Sequence, residues 1–335
     1  MLLLAVVPGV AEQDTARIVE PPAQIEVRVR PIAAFEARDP SRRRFGRLEF
    51  RGGMELASPY RHFGGVSAIR VGTDGARFLA LTDRGYWLRG RIAYDETARP
   101  TGIMDAEMAP ILGPDGRPLA ARRWWDTESL AEDKGTLYVG IERVHQIVRF
   151  DARQGLMARG RPIPVPPELK SLPSNGSLEA IEFVPNGLPL AGTLIAVSER
   201  GLDPLGNLRA FLIGGPSPGT FSVQRRDDFD VSDCALLPGG DLLLLERRFS
   251  LLRGVAMRIR RIPLGAIRPG AVVDGPVVMF ADMGYEIDNM EGLSVHRDAA
   301  GGVVLTLISD DNFSPIQRTI LLQFTLLEGV TADAP

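Results

Sequence analysis

Short apolar runs, separated by turn-forming residues, recur along the whole chain. Five of these runs end in an acidic residue: FLALTDRG (78–85), LYVGIERV (137–144), LIAVSERG (194–201), LLLLERRF (242–249) and LTLISDDN (305–312). The acids are Asp83, Glu142, Glu199, Glu246 and Asp310. Because repetition at a fixed period is the signature of a repeated structural unit, this pattern predicts five copies of one element.

A second apolar run precedes each of these acids. The early runs read GGVSAIRV (64–71), DTESLAED (126–133), GSLEAIEF (176–183), VSDCALLP (231–238) and NMEGLSVH (289–296), and their marker residues are Ser67, Glu128, Glu179, Asp233 and Glu291. Glycine-containing turn sequences such as Thr73-Asp74-Gly75 separate the early run from the late run. Two short apolar runs joined by such a turn predict a β-hairpin.

The residues between successive hairpins supply further strand candidates, so each unit accommodates about four strands, as in a propeller blade. Stacking the units around an axis buries apolar faces that a single hairpin leaves exposed. We therefore expect one all-β propeller domain over residues 25–335, with five blades preferred and a sixth, within residues 18–62, as the alternative. Ring closure predicts that an N-terminal strand, Ile25–Ile32 or Phe45–Phe50, completes the last blade.

Composition narrows the classes of function. Lys plus Arg at 39 against Asp plus Glu at 42 gives a net charge of −3, so no global field favours nucleic acid or an anionic membrane. A single cysteine excludes an internal disulfide and a cysteine-based zinc site, and three widely spaced histidines argue against a multi-histidine metal site. No run approaches the ~20 apolar residues of a transmembrane helix. We expect a monomer.

The first eleven residues, MLLLAVVPGVA, are typical of the end of a signal peptide. An apolar run to Val7 is followed by the small residues Gly9 and Ala11, which would flank a cleavage site. The basic segment that usually precedes such a run is missing, so an ordinary buried strand is the alternative. Residues 12–24 are polar and suit a lead-in to the mature protein. The pattern predicts export to the periplasm or beyond.

In a propeller, repeated positions at one end of the inner strands converge on the axis. We expect Glu128, Glu179, Glu291 and Asp310 to point into the central channel there, with the other late acids close by. Because crowded carboxylates raise one another's pKa values, such a ring requires compensation. A hard cation such as Ca²⁺ would supply it, and so would the arginines that follow four of the acids. These are Arg84, Arg143, Arg200 and Arg247.

The repeated acid–arginine pairs have a simpler interpretation, in which they only tie adjacent blades together. The fifth unit departs from them, because Asp310-Asp311-Asn312 replaces the pair and adds oxygen ligands. Turn capping by these side chains is the alternative there. The predicted calcium ligands are Glu128, Glu179, Glu291, Asp310 and Asp311. The three glutamates are also the catalytic candidates, and the four arginines are the candidates for substrate binding.

Other residues are weaker candidates. Trp124 and Trp125 would line a binding groove, although aromatic residues in propellers more often pack, and His62 and His296 are candidate general bases. The G-x-S-x-G motif of α/β-hydrolases does not occur. Neither a P-loop nor a dinucleotide-binding fingerprint follows any predicted strand.

Taken in order, the hairpins resemble the phytase-like family, which is described by an esterase-like activity of phytase. The resemblance runs from about Phe63 to Leu327, and SDDNFSPIQRT (309–319) is its most specific segment. It implies a propeller, usually exported in bacteria, with a hydrolytic activity.

Three functions remain open at this point. The first is a calcium-assisted hydrolase of small phosphate or carboxylate esters. The second is a binding or scaffold protein of the cell envelope, and the third is a lactonase-like metalloenzyme. Charge distinguishes them: arginines beside a metal favour phosphoesters, apolar walls favour lactones, and ion-paired acids without a cavity favour the scaffold.

Overall fold

The computed structural model describes residues 19–250 and 254–328, and nearly all its regular structure is β-sheet. The strands that precede the first hairpin are β1 (Ala23–Gln24), β2 (Arg28–Ile32), β3 (Arg44–Phe45) and β4 (Leu48–Ala57). Blade 1 follows with β5 (Val66–Val71), β6 (Arg77–Thr82), β7 (Tyr86–Tyr94) and β8 (Pro100–Pro110). Blade 2 contains β9 (Thr127–Asp133), β10 (Thr136–Ile141), β11 (Gln146–Asp151) and β12 (Arg161–Pro162).

The remaining blades follow the same order from the inside outwards. Blade 3 contains β13 (Leu178–Phe183), β14 (Thr193–Leu202), β15 (Leu208–Gly214) and β16 (Gly219–Val223). Blade 4 contains β17 (Asp230–Leu236), β18 (Leu242–Ser250), β19 (Gly254–Ile262) and β21 (Val277–Ala281), while β20 (Val272–Val273) joins blade 3. Blade 5 begins with β22 (Asn289–Arg297), β23 (Val303–Asp310) and β24 (Thr319–Leu326). Short 3₁₀ helices span Leu119–Arg122, Ala152–Gln154, Pro167–Ser171 and Leu264–Ala266.

The five inner strands surround a central axis. Each of them, β5, β9, β13, β17 and β22, contacts the next in this order, and β22 returns to β5. The fold is therefore a closed five-bladed β-propeller, which confirms the predicted architecture and excludes the six-bladed alternative. Among the described residues, no helix is long and apolar enough to cross a membrane.

An N-terminal strand closes the ring, as predicted. Strand β4 pairs antiparallel with β24, the third strand of blade 5, and β2 pairs with β4 on its outer side. Strand β1 pairs instead with β8 of blade 1. The N-terminal segment thus adds strands to the last and the first blade, and the ring is joined by main-chain hydrogen bonds.

Apolar side chains fill the spaces between blades. All six residues of β5 are buried, because the strand packs between its neighbours on both faces. The largest apolar cluster joins blades 4 and 5 to the closing strand, and in it Phe35 meets Phe324 edge to face with ring centroids 5.1 Å apart. This packing holds the inner strands at a fixed distance from the axis.

Each inner strand carries a β-bulge near its first residue. The bulged residues are Ser67, Glu128, Glu179, Ser232 and Glu291. In blade 4 the bulge lies at Ser232 rather than at Asp233, the marker chosen from sequence. Because adjacent strand residues face opposite ways, this shift of one residue changes which blade 4 side chains reach the axis.

Candidate functional site

Two layers of equivalent residues surround the same end of the channel. The first layer consists of the five bulged residues. In each second strand, one residue pairs with the residue that precedes the bulge, and the second layer consists of the residues that directly follow it. These are Asp83, Glu142, Glu199, Arg247 and Asp310. Seven of these ten positions are carboxylates, two are serines and one is arginine. The channel end is therefore strongly acidic.

The carboxylates meet across the axis. Burial raises the pKa of Glu128 well above its usual range, and Glu291 adds to this effect. These two residues belong to blades 2 and 5, which are not neighbours in the ring, so their interaction runs through the channel. The pKa of Glu179 is raised by burial and then by Glu128 and Glu199. The acids thus share one poorly hydrated space.

Arg247 lies within this group of acids. Its Nη2 donates to Glu199 Oε1 at 2.9 Å, and its Nε lies 3.2 Å from Glu291 Oε1. Burial raises the pKa of Glu291 to about 8, although Arg247 opposes the shift. Arg200 Nη2 also lies 3.4 Å from Glu199 Oε1. Two guanidinium groups therefore offset part of the negative charge and leave several of the described carboxylates without a cationic partner.

Three glutamates could hold a metal ion. Glu142, Glu179 and Glu199 each offer a carboxylate oxygen, and the three oxygens lie within 4.8 Å of one another. The loop before β13 orients Glu142, because the backbone N–H groups of Gly176 and Ser177 donate to its Oε1, the second at 2.7 Å. Carboxylate oxygens are hard donors and fit a hard cation such as Ca²⁺.

Asp83 and Asp310 complete the acidic layer on the side of blades 1 and 5. Burial raises the pKa of Asp83 to about 7, and the neighbouring Asp310 contributes to the shift. Burial likewise raises the pKa of Asp310 to about 6, against a hydrogen bond from the Asn312 N–H. Asp83 Oδ1 is buried and receives no hydrogen bond from the described residues. It is an acceptor that a cation or a proton would satisfy.

Asp311 lies apart from the acidic cluster. Its Oδ1 accepts the N–H groups of Gly65 at 2.9 Å and Phe313 at 3.0 Å, and its Oδ2 accepts the Thr319 hydroxyl at 3.1 Å. These contacts tie the end of blade 5 to the loop before blade 1. These hydrogen bonds are those of a turn-capping aspartate, the alternative to a calcium ligand at this position.

The arginines that follow the acids have different environments. Arg84 lies over the Phe313 ring, 3.3 Å from its centroid, and Arg143 Nε donates to Asp126 at 2.8 Å. Arg200 Nε donates to Asp230 at 3.1 Å. Of the four candidates for substrate binding, Arg247 makes contacts to acids of both layers.

Glu246 does not join the acidic layer. It is fully buried on the opposite face of β18, where Arg258 Nε and Arg260 Nε each donate to its Oε2 at 2.7 Å. The repeat in the sequence aligned Glu246 with the other acids, whereas the bulge at Ser232 aligns Arg247 with them. A β-bulge leaves no mark in the apolar pattern that could have shown this.

An arginine-lined cavity adjoins the acidic end on the side of blade 4. Its volume is about 560 Å³. Its lining consists of Arg200, Arg225, Arg247, Arg248, Asp228, Asp230, Phe249 and Ser250. Arg200 and Arg247 were expected from the repeat. Arg225 and Arg248 were not, because neither occupies the repeated position after an acid.

The remaining candidates lie outside the acidic cluster. His62 stacks on Tyr86 with ring centroids 4.1 Å apart, and burial lowers its pKa. His296 is buried near the opposite end of the inner strand β22, and burial lowers its pKa too. Trp125 is 38% exposed beneath Arg143, and Trp124 packs against Arg122.

Comparison with known proteins gives one family and several similar folds. Residues 61–313 match the family described as Phytase-like: Esterase-like activity of phytase. No curated protein matches the sequence. The glutaminyl cyclase of Myxococcus xanthus is 9% identical, with a TM-score of 0.44 over 81% of this chain and 92% of that one. The RRP9 WD40 repeats are 10% identical, with a TM-score of 0.41 over 88% and 99% of the two chains. These likenesses concern the fold alone.

Proposed function

Because this chain belongs to the phytase-like family, we propose that it hydrolyses phosphate esters with the help of a calcium ion at the acidic end of the channel. The observation that carries the proposal is the excess of buried carboxylates over the two arginines, Arg200 and Arg247, that contact them. Buried acids of like charge are unfavourable unless a cation or protons compensate them. A divalent cation with oxygen ligands is the simplest compensation.

Glu142, Glu179 and Glu199 would hold the ion, with Glu128, Glu291 and Asp310 near enough in the two layers to contribute. When bound, a calcium ion neutralises an anionic substrate and increases the acidity of a coordinated water. Two of these carboxylates are already held in position. Backbone N–H groups hold Glu142, and Arg247 holds Glu199.

Proton transfer falls to carboxylates whose pKa values lie near neutrality. A general acid or base works best when its pKa is close to the working pH. Burial brings the pKa of Asp83, which is not among the carboxylates assigned to the ion, to about 7. Glu128 and Glu291, whose pKa values are also raised, would take this role where they do not bind the ion.

The cavity beside blade 4 favours a phosphate ester as the substrate. Guanidinium groups match phosphate oxygens as a two-pronged donor, and four arginines line this cavity against two aspartates. Arg200 and Arg225 share Asp230 as their acidic partner, so positive charge is in excess. A lactone is neutral and would gain little from such a lining, so nothing here favours the lactonase alternative. The proposal of export rests on residues 1–11, which lie outside the described residues.

A scaffold function is the second candidate, because ion pairs account for part of the acidic end. Arg247 pairs with Glu199 and Glu291, and Arg143 pairs with Asp126. In that case the acids would stabilise the ring of blades without binding a metal or a substrate.

Melting curves with calcium and with a chelator test the metal. A ligand at a hundred times its Kd adds ~2.7 kcal/mol to the free energy of unfolding, so calcium should raise the melting temperature of the wild type. Glu179→Gln with Glu291→Gln should abolish this rise. Glu182→Gln is the matched control, because Glu182 lies on the same inner strand as Glu179 but lines the opposite mouth of the channel. If the wild-type melting curves with calcium and with chelator coincided, the proposal of a calcium site would be wrong.

Hydrolysis assays test the reaction itself. With p-nitrophenyl phosphate, we expect calcium-dependent release of nitrophenol that the double variant loses and the Glu182→Gln control retains. The carboxylate ester p-nitrophenyl butyrate should be a poorer substrate. Stabilisation by calcium without any hydrolysis would leave the scaffold as the function.

A further inference from the structure

A second group of arginines lies on the outer part of blade 2, away from the channel. Arg149 on β11, Arg161 on β12, and Arg153 and Arg159 between them line a cavity of about 410 Å³. Thr136 also lines it, at the end of β10 opposite to Glu142. The cavity is therefore separate from the acidic cluster.

Most of the positive charge in this cavity has no counter-ion. Arg153 pairs with Asp151, with its Nε 2.8 Å from Oδ1. Within residues 19–250 and 254–328, the guanidinium groups of Arg149, Arg159 and Arg161 form no ion pair or hydrogen bond. Arg153 lowers the pKa of Asp151 to about 2, so this carboxylate stays charged and paired. The cavity holds an excess of three positive charges.

Strand pairing brings two of these arginines face to face. Arg149 and Arg161 are direct partners in the antiparallel pair of β11 and β12. Like charges that lie directly opposite each other on neighbouring strands destabilise a sheet. Both side chains are exposed, so water and salt screen part of this repulsion, and an anion between them would remove the rest.

The backbone around the cavity is closely packed. A Cβ at Gly160 would collide with Val148 and Phe150, so the chain between Arg159 and Arg161 lies directly on the buried Phe150. The Arg159 guanidinium packs over Gly116, where a Cβ would lie 3.1 Å from Cζ. Close packing of the main chain thus holds the positions from which these two arginines extend.

We propose that this cavity binds a small soluble polyanion that carries phosphate groups. Guanidinium groups pair with phosphate oxygens in a bidentate manner, and several of them around one concave site match a ligand with more than one phosphate. The volume lies within the range of small-molecule sites.

A lipid surface fits the cavity less well. None of the large apolar side chains that are exposed in the described part of the chain lines this cavity, so nothing there would insert into a bilayer. The net charge of −3 also gives the whole protein no attraction to an anionic membrane. The cluster acts at short range, as suits a ligand that enters the cavity.

Calorimetric titration with tripolyphosphate tests the proposal. The blade 2 variant, Arg149→Gln with Arg161→Gln, should weaken binding at least about tenfold, since each of its two substitutions removes charge-assisted hydrogen bonds. The matched control is Arg89→Gln with Arg91→Gln, which makes the same change of charge on β7 of blade 1, where both arginines already have acidic partners. It should change the affinity less than about twofold. Equal affinities of the wild type and the blade 2 variant would overturn the proposal, even if the channel cavity binds the probe.

Melting temperatures give an independent readout. Without ligand, the blade 2 variant should be at least as stable as the wild type, because two positive charges that face each other are removed. Tripolyphosphate should raise the melting temperature of the wild type more than that of the variant. A variant that is less stable without ligand would show that the arginines are structural. Phosphatidylglycerol vesicles test the membrane alternative by co-sedimentation. If the wild type bound the vesicles but not tripolyphosphate, and the variant lost vesicle binding, the proposal of a soluble ligand would be overturned.

Discussion

At the scale of single residues, Glu182 is an acid that lines the channel outside the acidic end and forms no ion pair with another described residue. It lies near Arg70 and Asp233, but Arg70 is paired with Asp233. Arg70 Nη1 donates to Asp233 Oδ2 at 2.9 Å, and Arg70 Nη2 donates to Asp233 Oδ1 at 3.1 Å. Burial raises the pKa of Glu182 to about 7, with Arg70 opposing and Asp233 adding to the shift. The folded protein therefore favours the protonated form of Glu182.

This raised pKa predicts how stability depends on pH. The contribution of protonated Glu182 is fully present below its unfolded pKa of about 4.5 and is lost as the pH rises through about 7. Between pH 5 and pH 8.5, the wild type should lose about 2 kcal/mol more of its free energy of unfolding than Glu182→Gln does. Urea unfolding of both proteins at the two pH values measures the difference, and equal losses would contradict the assignment.

Single residues also mark the limit of inference from sequence. Glu128, Glu179 and Glu291 occupy equivalent positions in the sequence repeat, and the structure has all three at β-bulges of the inner strands. Blade 4 was aligned one residue away, since Asp233 and Glu246 are acids and Ser232 and Arg247 are not. The backbone bulge at Ser232 decided the alignment, and a bulge depends on pairing between strands that are only joined in the folded state.

At the scale of elements, the closing strand β4 depends on a close approach of main chains. Gly53 lies in β4 opposite Leu322 of β24, and a Cβ there would meet Leu322 Cδ2 at 2.6 Å and the Leu321 carbonyl oxygen at 2.9 Å. Gly53 does not have a positive φ, so its role is one of space and not of backbone conformation. A side chain at this position would push the closing strand away from blade 5.

Gly53→Ala should therefore destabilise the protein by about 1–3 kcal/mol, as overpacking does in a closely packed interior. The matched control is Gly102→Ala on β8, where the nearest atom to an added Cβ is Ala93 Cβ at 3.7 Å. The control should change the free energy of unfolding by less than about 0.5 kcal/mol. Urea unfolding of both variants measures this, and similar losses would show that β4 does not limit stability.

The elements themselves were well predicted where local sequence determines them. The five hairpins were found because apolar runs and glycine turns are local signals. The pairing of β4 with β24 was expected only from ring closure, since the two strands are far apart in sequence. The choice between the two N-terminal candidates could not be made, and both segments contribute to blade 5, with β2 on the outside of β4.

At the scale of the whole molecule, Arg70 joins four of the five blades through the axis. It extends from β5 of blade 1 and donates to Asp233 of blade 4 and to the carbonyl oxygens of Ile181 in blade 3 and Leu293 in blade 5. Asp233 is fully buried, and it also accepts the Leu293 N–H at 2.8 Å. The pair fills the channel below the acidic end with a hydrogen-bonded cross-link.

The last prediction follows from this cross-link. Arg70→Met should cost about 3–5 kcal/mol of the free energy of unfolding, because it leaves the Asp233 carboxylate buried without its cation. Adding Asp233→Asn should recover much of that loss, since the amide oxygen can still accept the Leu293 N–H and no charge remains at that position. Arg261→Met is the control: its pair with Asp241 at 2.6 Å is partly exposed and should be worth less than about 1 kcal/mol. A double-mutant cycle by urea unfolding measures the coupling. Additive losses in the cycle would mean that Arg70 stabilises the ring through its carbonyl contacts alone, and that the charge of Asp233 is compensated elsewhere in the channel.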